Sequence, residues 1–174
     1  MIYKRLEEVS EFTTGKNVTR LKNQGKDVYT PEDFENDLHS VNDIPERPEC
    51  IINLMKSTAA PLSNVAKEKC ITSNFLKCTF DENVLDPWYF CYQFNADRKI
   101  KHQIHMLHQS NMVGVSKLTM KNIEAIKIGL IDIEKQRLIG NIYRKMIIQK
   151  EKMLKQADEM ECLTMEIIKK IEED

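Results

Sequence analysis

Three histidines stand three residues apart in HQIHMLH, at His102, His105 and His108, and the spacing raises the question of a metal. On a helix each three-residue step drifts by about 60°, so two of these rings share a face but three do not converge on one ion. No carboxylate lies near them at ligand spacing, so they read as phosphate-facing or simply exposed side chains and not as a zinc site. The five cysteines, Cys50, Cys70, Cys78, Cys91 and Cys162, are odd in number, widely spaced and without a CxxC pair. That pattern suits reduced thiols in a cytoplasm. Ser57 and Ser63 fall in predicted loops, and no motif supplies either with a general base. Nucleophile elbows, phosphate-cradling glycine loops and paired carboxylates are all missing from the sequence. It predicts neither an enzyme nor a cofactor.

One tetrapeptide tests that exclusion. DPWY, Asp86–Tyr89, resembles the [DN]PP[YFW] motif of adenine methyltransferases, where a carboxylate or amide accepts from the target amino group and an aromatic ring stacks on a flipped base. Here tryptophan replaces the second proline. Gly15, Gly25, Gly114, Gly129 and Gly140 never form the GxG that a strand-to-helix turn needs for S-adenosylmethionine. A helix start, with Asp86 as N-cap and Pro87 in the first turn, accounts for all four residues.

Surface charge offers a second kind of chemistry. Net charge is −1, so gross electrostatics announce no nucleic acid. The distribution is uneven, however. Thr13–Lys26 holds four cations and no acid, whereas Pro31–Glu49 holds seven acids against Arg47 alone. Arg98, Lys99 and Lys101 form a second cationic group leading into His102. Such patches either contact phosphates or are ordinary solvated surface.

The elements that would position these residues are those of a soluble protein, 41% hydrophobic and 30% charged, with no run of about 18 apolar residues for a membrane span. The acids in MIYKRLEEVS leave no apolar signal core, so export is not expected. Residues 2–12 read as a short strand or helical turn, with Gly15 at the following bend. Thr30 caps a short helix with Pro31 first and Asp33 third. Cys50–Met55 reads as a strand, Lys56–Pro61 as a loop, and ITSNFLKCTF as another strand. LDPWYFCYQFNADRKIKHQIHMLHQ is helical, broken at Asn95–Asp97, and Ser116–Leu130 closes the domain.

A last helix starts near Asp132 and runs to about Glu172, a rod of about 60 Å at about 1.5 Å per residue. Ile139, Met146, Met153, Met160 and Ile167 recur every seven residues. Ile142, Leu163 and Ile171 widen the stripe, and Ile147, Leu154 and Ile168 flank it. A heptad held over four intervals predicts a helix for another helix, although Gln149 and Gln156 interrupt the seam. Packing lengthwise on its own domain is the other reading.

Three segments together resemble a known family. RLEEVSEFTTGKN is similar to the opening of a target-recognition domain in the specificity subunits of type I restriction–modification systems. IINLMKSTAAPLSN and ITSNFLKC resemble that family's central strands. LTMKNIEAIKIGLIDIEKQRLIGNIY resembles its junction between recognition domain and long helix, matching at Leu118, Ile123, Ile128, Leu130, Ile133, Glu134, Gln136, Ile139 and Gly140. Gly129, Ile131 and Asp132 stand where the family has prolines.

The resemblance implies an α+β protein: a mixed α/β target-recognition domain over residues 1–131 and a long coiled-coil helix for dimerisation and spacing over 132–174. It implies a non-catalytic subunit that reads half of a split double-stranded DNA target. Its partners would be a second copy or a second half-subunit, DNA adenine methyltransferase subunits and, through them, restriction subunits. Dimerisation falls to Ile139, Ile142, Met146, Met153, Met160, Leu163 and Ile167. Phosphates and base edges call for cations, amides and hydroxyls. Lys16, Asn17, Arg20 and Lys22 supply these in the first loop. Lys56, Ser57 and Thr58 do so after the central strand, and Gln109, Ser110, Asn111 and Lys117 before the closing segment. A coiled-coil scaffold or truncated remnant that no longer reads DNA is the alternative.

Overall fold

The computed structural model describes residues 2–19, 25–39, 43–110 and 117–173, with only the backbone of Ser110. Arg20, Lys22, Asn111 and Ser116 lie outside the described residues.

The chain starts with strand β1 (Ile2–Arg5), a single 3-10 turn (Leu6–Glu8) and strand β2 (Ser10–Thr14), so residues 2–12 contain both the strand and the helical turn. Strand β3 (Cys50–Asn53) is buried at all four positions, as a strand covered on both faces must be. With β4 (Thr58–Pro61) and β5 (Phe75–Phe80) it forms an antiparallel sheet in the order β2–β5–β3–β4.

Successive side chains leave β3 on opposite faces and build two cores. Cys50 and Ile52 pack with Leu76, Cys78, Tyr89, Phe90 and Phe94 against helices α2 (Pro87–Ala96) and α3 (Arg98–Ser110). Ile51 turns the other way, to Tyr29, Phe34, Ala60 and Phe75, beneath helix α1 (Pro31–Leu38). Helix α1 starts as its sequence predicts: the Thr30 hydroxyl accepts from the Asp33 amide, and the Asp33 carboxylate accepts from the Thr30 amide.

Two expectations change. Residues 56–61 are a turn followed by β4, not a loop; TAAP carries no alternation because Ala59 and Ala60 fill opposite cores with small side chains. Pro61 is tolerated since β4 is the outer strand. There Asn95, from the predicted break between α2 and α3, bonds both backbone groups of Ala59, at 2.8 and 2.7 Å, in place of a further strand. Within ITSNFLKCTF the strand begins only at Phe75. Residues 71–74 instead bridge to Lys16.

Helix α4 (Met120–Ala125) and strand β6 (Lys127–Leu130) close the domain, β6 pairing antiparallel with β1. Helix α5 (Ile133–Glu173) follows over 41 residues. Asp132 caps it, its carboxylate accepting from the Glu134 amide and its carbonyl from Gln136. Among the described residues no helix is long and apolar enough to cross a membrane.

Candidate nucleic-acid interface

The antiparallel registers bring one set of loops to one end of the sheet. Thr14 at the end of β2 faces Leu76, Asn53 at the end of β3 faces Phe75, and Thr58 at the start of β4 faces Asn53. Segment 71–74 ties these loops together. The Lys16 amide donates to Ile71 and the Lys16 carbonyl accepts from Ser73, both at 2.9 Å. Gly15 permits this approach, since a Cβ there would meet the Thr72 carbonyl. The Lys117 ammonium donates to the Ser73 carbonyl at 2.9 Å and the Asn74 side-chain oxygen at 3.0 Å. The Leu118 amide donates to Leu54, whose own amide donates to Asn74.

The β3–β4 turn completes the cluster. The Asn53 side-chain oxygen accepts from the Met55 and Lys56 amides, each at 3.0 Å. Ser57 Oγ lies 2.9 Å from His108 Nε2 on α3, and His105 Nε2 lies 3.0 Å from Gln109 Nε2 one turn along. Stretches far apart in sequence are thereby linked: Lys16 and Lys117 through segment 71–74, and Ser57 on the turn to His108 on α3, next to Gln109. Lys16, Asn17 and Gln109 are exposed. Two of the candidates already have protein partners, Lys56 with Glu35 and Asn17 accepting from the Thr19 amide, and the Thr58 hydroxyl is buried without one among the described residues. Ser73, Asn74 and His108 were not singled out for this cluster by sequence, since only the register shows that segment 71–74 leaves the strand.

Several sequence features resolve into structural roles. Asp86 caps α2 by accepting from the Tyr89 amide at 2.8 Å, and Trp88 and Tyr89 are buried, so the DPWY rings have no face open to a base. Burial raises the Asp86 carboxyl above its ordinary range, against the lowering by backbone amides and by Arg137 and Arg47. Among the described residues no three His, Cys, Asp or Glu side chains form a group that could hold a metal. A serine bonded to a histidine invites a nucleophile reading, but His108 Nδ1 has no partner among the described residues, and an orienting acid is what such a dyad needs.

The rod divides into two parts. Gln136, Gly140, Tyr143 and Ile147, spaced three or four apart, face the domain. The buried Gln136 amide accepts from the Asp86 N–H at 3.1 Å and donates to the Val84 and Ile131 carbonyls at 3.0 and 2.8 Å. At Gly140 a Cβ would collide with Asp86, the Tyr89 amide at 2.8 Å and Trp88 Cβ at 2.9 Å, so the helices cross there at backbone contact. Ile139 is half-buried against the domain's own core, and Ile147 joins Ile44 and Trp88. Ile142 (61% exposed) lies about 200° round the helix from Gly140. Met146, Met153 (60%), Met160 (70%), Leu163 and Ile167 continue that outward side, and every residue from 152 to 173 is exposed.

No family model and no curated protein matches the sequence. Solved structures do match. One is a chain of the type I R-M system, from work on its complex assembly and conformational transition. It superposes with a TM-score of 0.63 at 18% identity, over 95% of this chain and 43% of that one. The HsdS subunit from Thermoanaerobacter tengcongensis gives a TM-score of 0.57 at 19% identity, over 90% of this chain and 39% of that one. The fold is that of type I specificity subunits. The chain spans about two fifths of the length of each. The junction residues that carried the resemblance are structural: Leu118, Ile123 and Ile128 are core, Gln136 ties the rod to the domain, and Gly140 sets the helix crossing.

Proposed function

We propose that this chain is a non-catalytic DNA sequence-recognition subunit of a type I restriction–modification system. One end of its sheet reads half of a split target, and the outward side of α5 zips against a second such helix. The observation that carries this reading is the pairing, in one chain, of the recognition fold with a rod whose apolar seam is exposed opposite its own domain. A seam of Met, Ile and Leu side chains at seven-residue spacing is stable in water when another helix covers it. A two-fold pairing of identical rods places two identical readers at a fixed separation, suited to an inverted, gapped sequence. A second, different half-subunit would read two unlike halves instead. The chain works in the cytoplasm, without a cofactor, and docks DNA adenine methyltransferase subunits and through them restriction subunits.

Lys16, Asn17, Lys56, Gln109 and Lys117 are the described residues we assign to DNA, with Ser110 at the end of α3, and Arg20, Lys22 and Asn111 are proposed with them from the sequence. One observation favours a second reading, a coiled-coil scaffold that no longer reads DNA: Lys56 and Lys117 already have protein partners. Sedimentation at tens of micromolar, followed by selection from a randomised duplex pool with the methyltransferase subunit present, separates the two. A dimer enriching one gapped sequence is expected. A dimer enriching none supports the scaffold, and a monomer removes the proposed pairing.

A further inference from the structure

The β3–β4 turn combines features that stability alone does not explain. Ser57 has φ +53°, the single non-glycine residue in the left-handed region among the described residues. Glycine or asparagine occupies such a position at lower conformational cost. Serine supplies a hydroxyl there, and that hydroxyl reaches His108, 51 residues away in sequence on another element. Two buried polar atoms beside this contact, Thr58 Oγ1 and His108 Nδ1, have no partner among the described residues. Backbone strain and unpaired polar atoms together at one turn mark a place held in a required shape.

We infer that His108 is a positioning residue, latching Ser57 so that the β3–β4 turn holds one fixed orientation at the DNA-reading end of the sheet. The inference deepens the DNA-recognition reading and rests on it. The geometry divides the labour within the turn. Asn53 fixes its base through the Met55 and Lys56 amides, and the Ser57 amide donates to the Asn53 carbonyl at 2.8 Å. The Ser57–His108 bond fixes its far side against α3. What the turn presents is then Met55, half-exposed, and the exposed Lys56, whose ammonium pairs with Glu35 in the free chain and would exchange that partner for DNA. A thioether beside a cation suits a major-groove edge, where an apolar group contacts a thymine methyl and a cation meets a guanine acceptor or a phosphate. Ser57, expected from sequence to touch DNA itself, acts here through the turn it holds.

The test uses the full chain with its methyltransferase subunit, the duplex enriched by the wild-type assembly, and a scrambled duplex of the same composition. Ser57→Gly relieves the left-handed strain but removes the hydroxyl. It is expected to fold with unreduced thermal stability, to bind the enriched duplex about tenfold more weakly, and to bind the scrambled duplex as before. His108→Ala should lose discrimination in the same way. His108→Gln, whose amide nitrogen can donate to Ser57, should recover most of it. Unchanged discrimination in Ser57→Gly overturns the latch, as does an equal loss on both duplexes. Should His108→Ala fail to fold, Ser57→Gly decides alone. A wild-type assembly that enriches no sequence overturns the DNA-recognition reading and the latch together, whereas wild-type discrimination with unaffected variants overturns the latch only.

Discussion

Gln136 is the residue that most depends on its surroundings. It is almost completely buried, and its one side chain satisfies an N–H of Asp86 and carbonyls of Val84 and Ile131. Those three backbone groups precede α2 and follow β6, where regular pairing stops and the Gln136 side chain supplies the missing partners. Truncation removes one donor–acceptor pair and orphans three partners. Gln136→Ala is expected to cost about 2–4 kcal/mol in urea unfolding, with little change in the slope. A cost below about 1 kcal/mol would mean that the joint between domain and rod is held by packing alone. The sequence marked Gln136 through the resemblance of its junction, but not its work. A glutamine at the start of a helix looks like solvent-facing surface until the chain before α2 folds over it.

At the level of elements, α1, α2 and the rod were legible for local reasons, whereas α4 with its Thr119 cap lay unread inside the closing segment. Thr30, Asp86 and Asp132 each sit at a helix start, and Pro31 and Pro87 occupy the first turn of theirs. Strand β4 was not legible, because an edge strand of small residues carries no alternation for a pattern to detect. The sequence sets an intermolecular seam against packing on the rod's own domain, and the first four turns of the rod serve both faces. Gln136, Gly140 and Ile147 dock on α2 and its surroundings, and Ile142 and Met146 point away. A sevenfold repeat cannot separate these, since Ile139 belongs to the repeat and still packs on its own core. Replacing Met153 and Met160 by lysine therefore tests the seam without touching the domain. The double variant should weaken self-association by about 3 kcal/mol or more, over a hundredfold, in sedimentation. Its domain should melt at the wild-type temperature, because residues 152–173 are exposed in the single chain.

At the scale of the whole molecule, function would follow from the distance between two sheet ends set by the rod, and affinity from the cations gathered at each end. Lys16 is exposed and its backbone is clamped on both sides by segment 71–74, so its charge can be removed without moving its loop. Lys16→Ala is expected to weaken the enriched and scrambled duplexes alike and to lower the salt-dependence slope by about one. An unchanged slope would place Lys16 away from the phosphates. Sequence alone determined what depends on neighbours a few residues apart: the starts of α1, α2 and the rod, the length of the rod, and its heptad. Tertiary structure decided what depends on register and crossing: that segment 71–74 gathers three distant loops, that Ser57 meets His108, and that one third of the rod belongs to its own domain. Hydrogen bonds between residues 43 to 51 positions apart leave no periodic trace in a chain, and only the folded backbone brings them within reach.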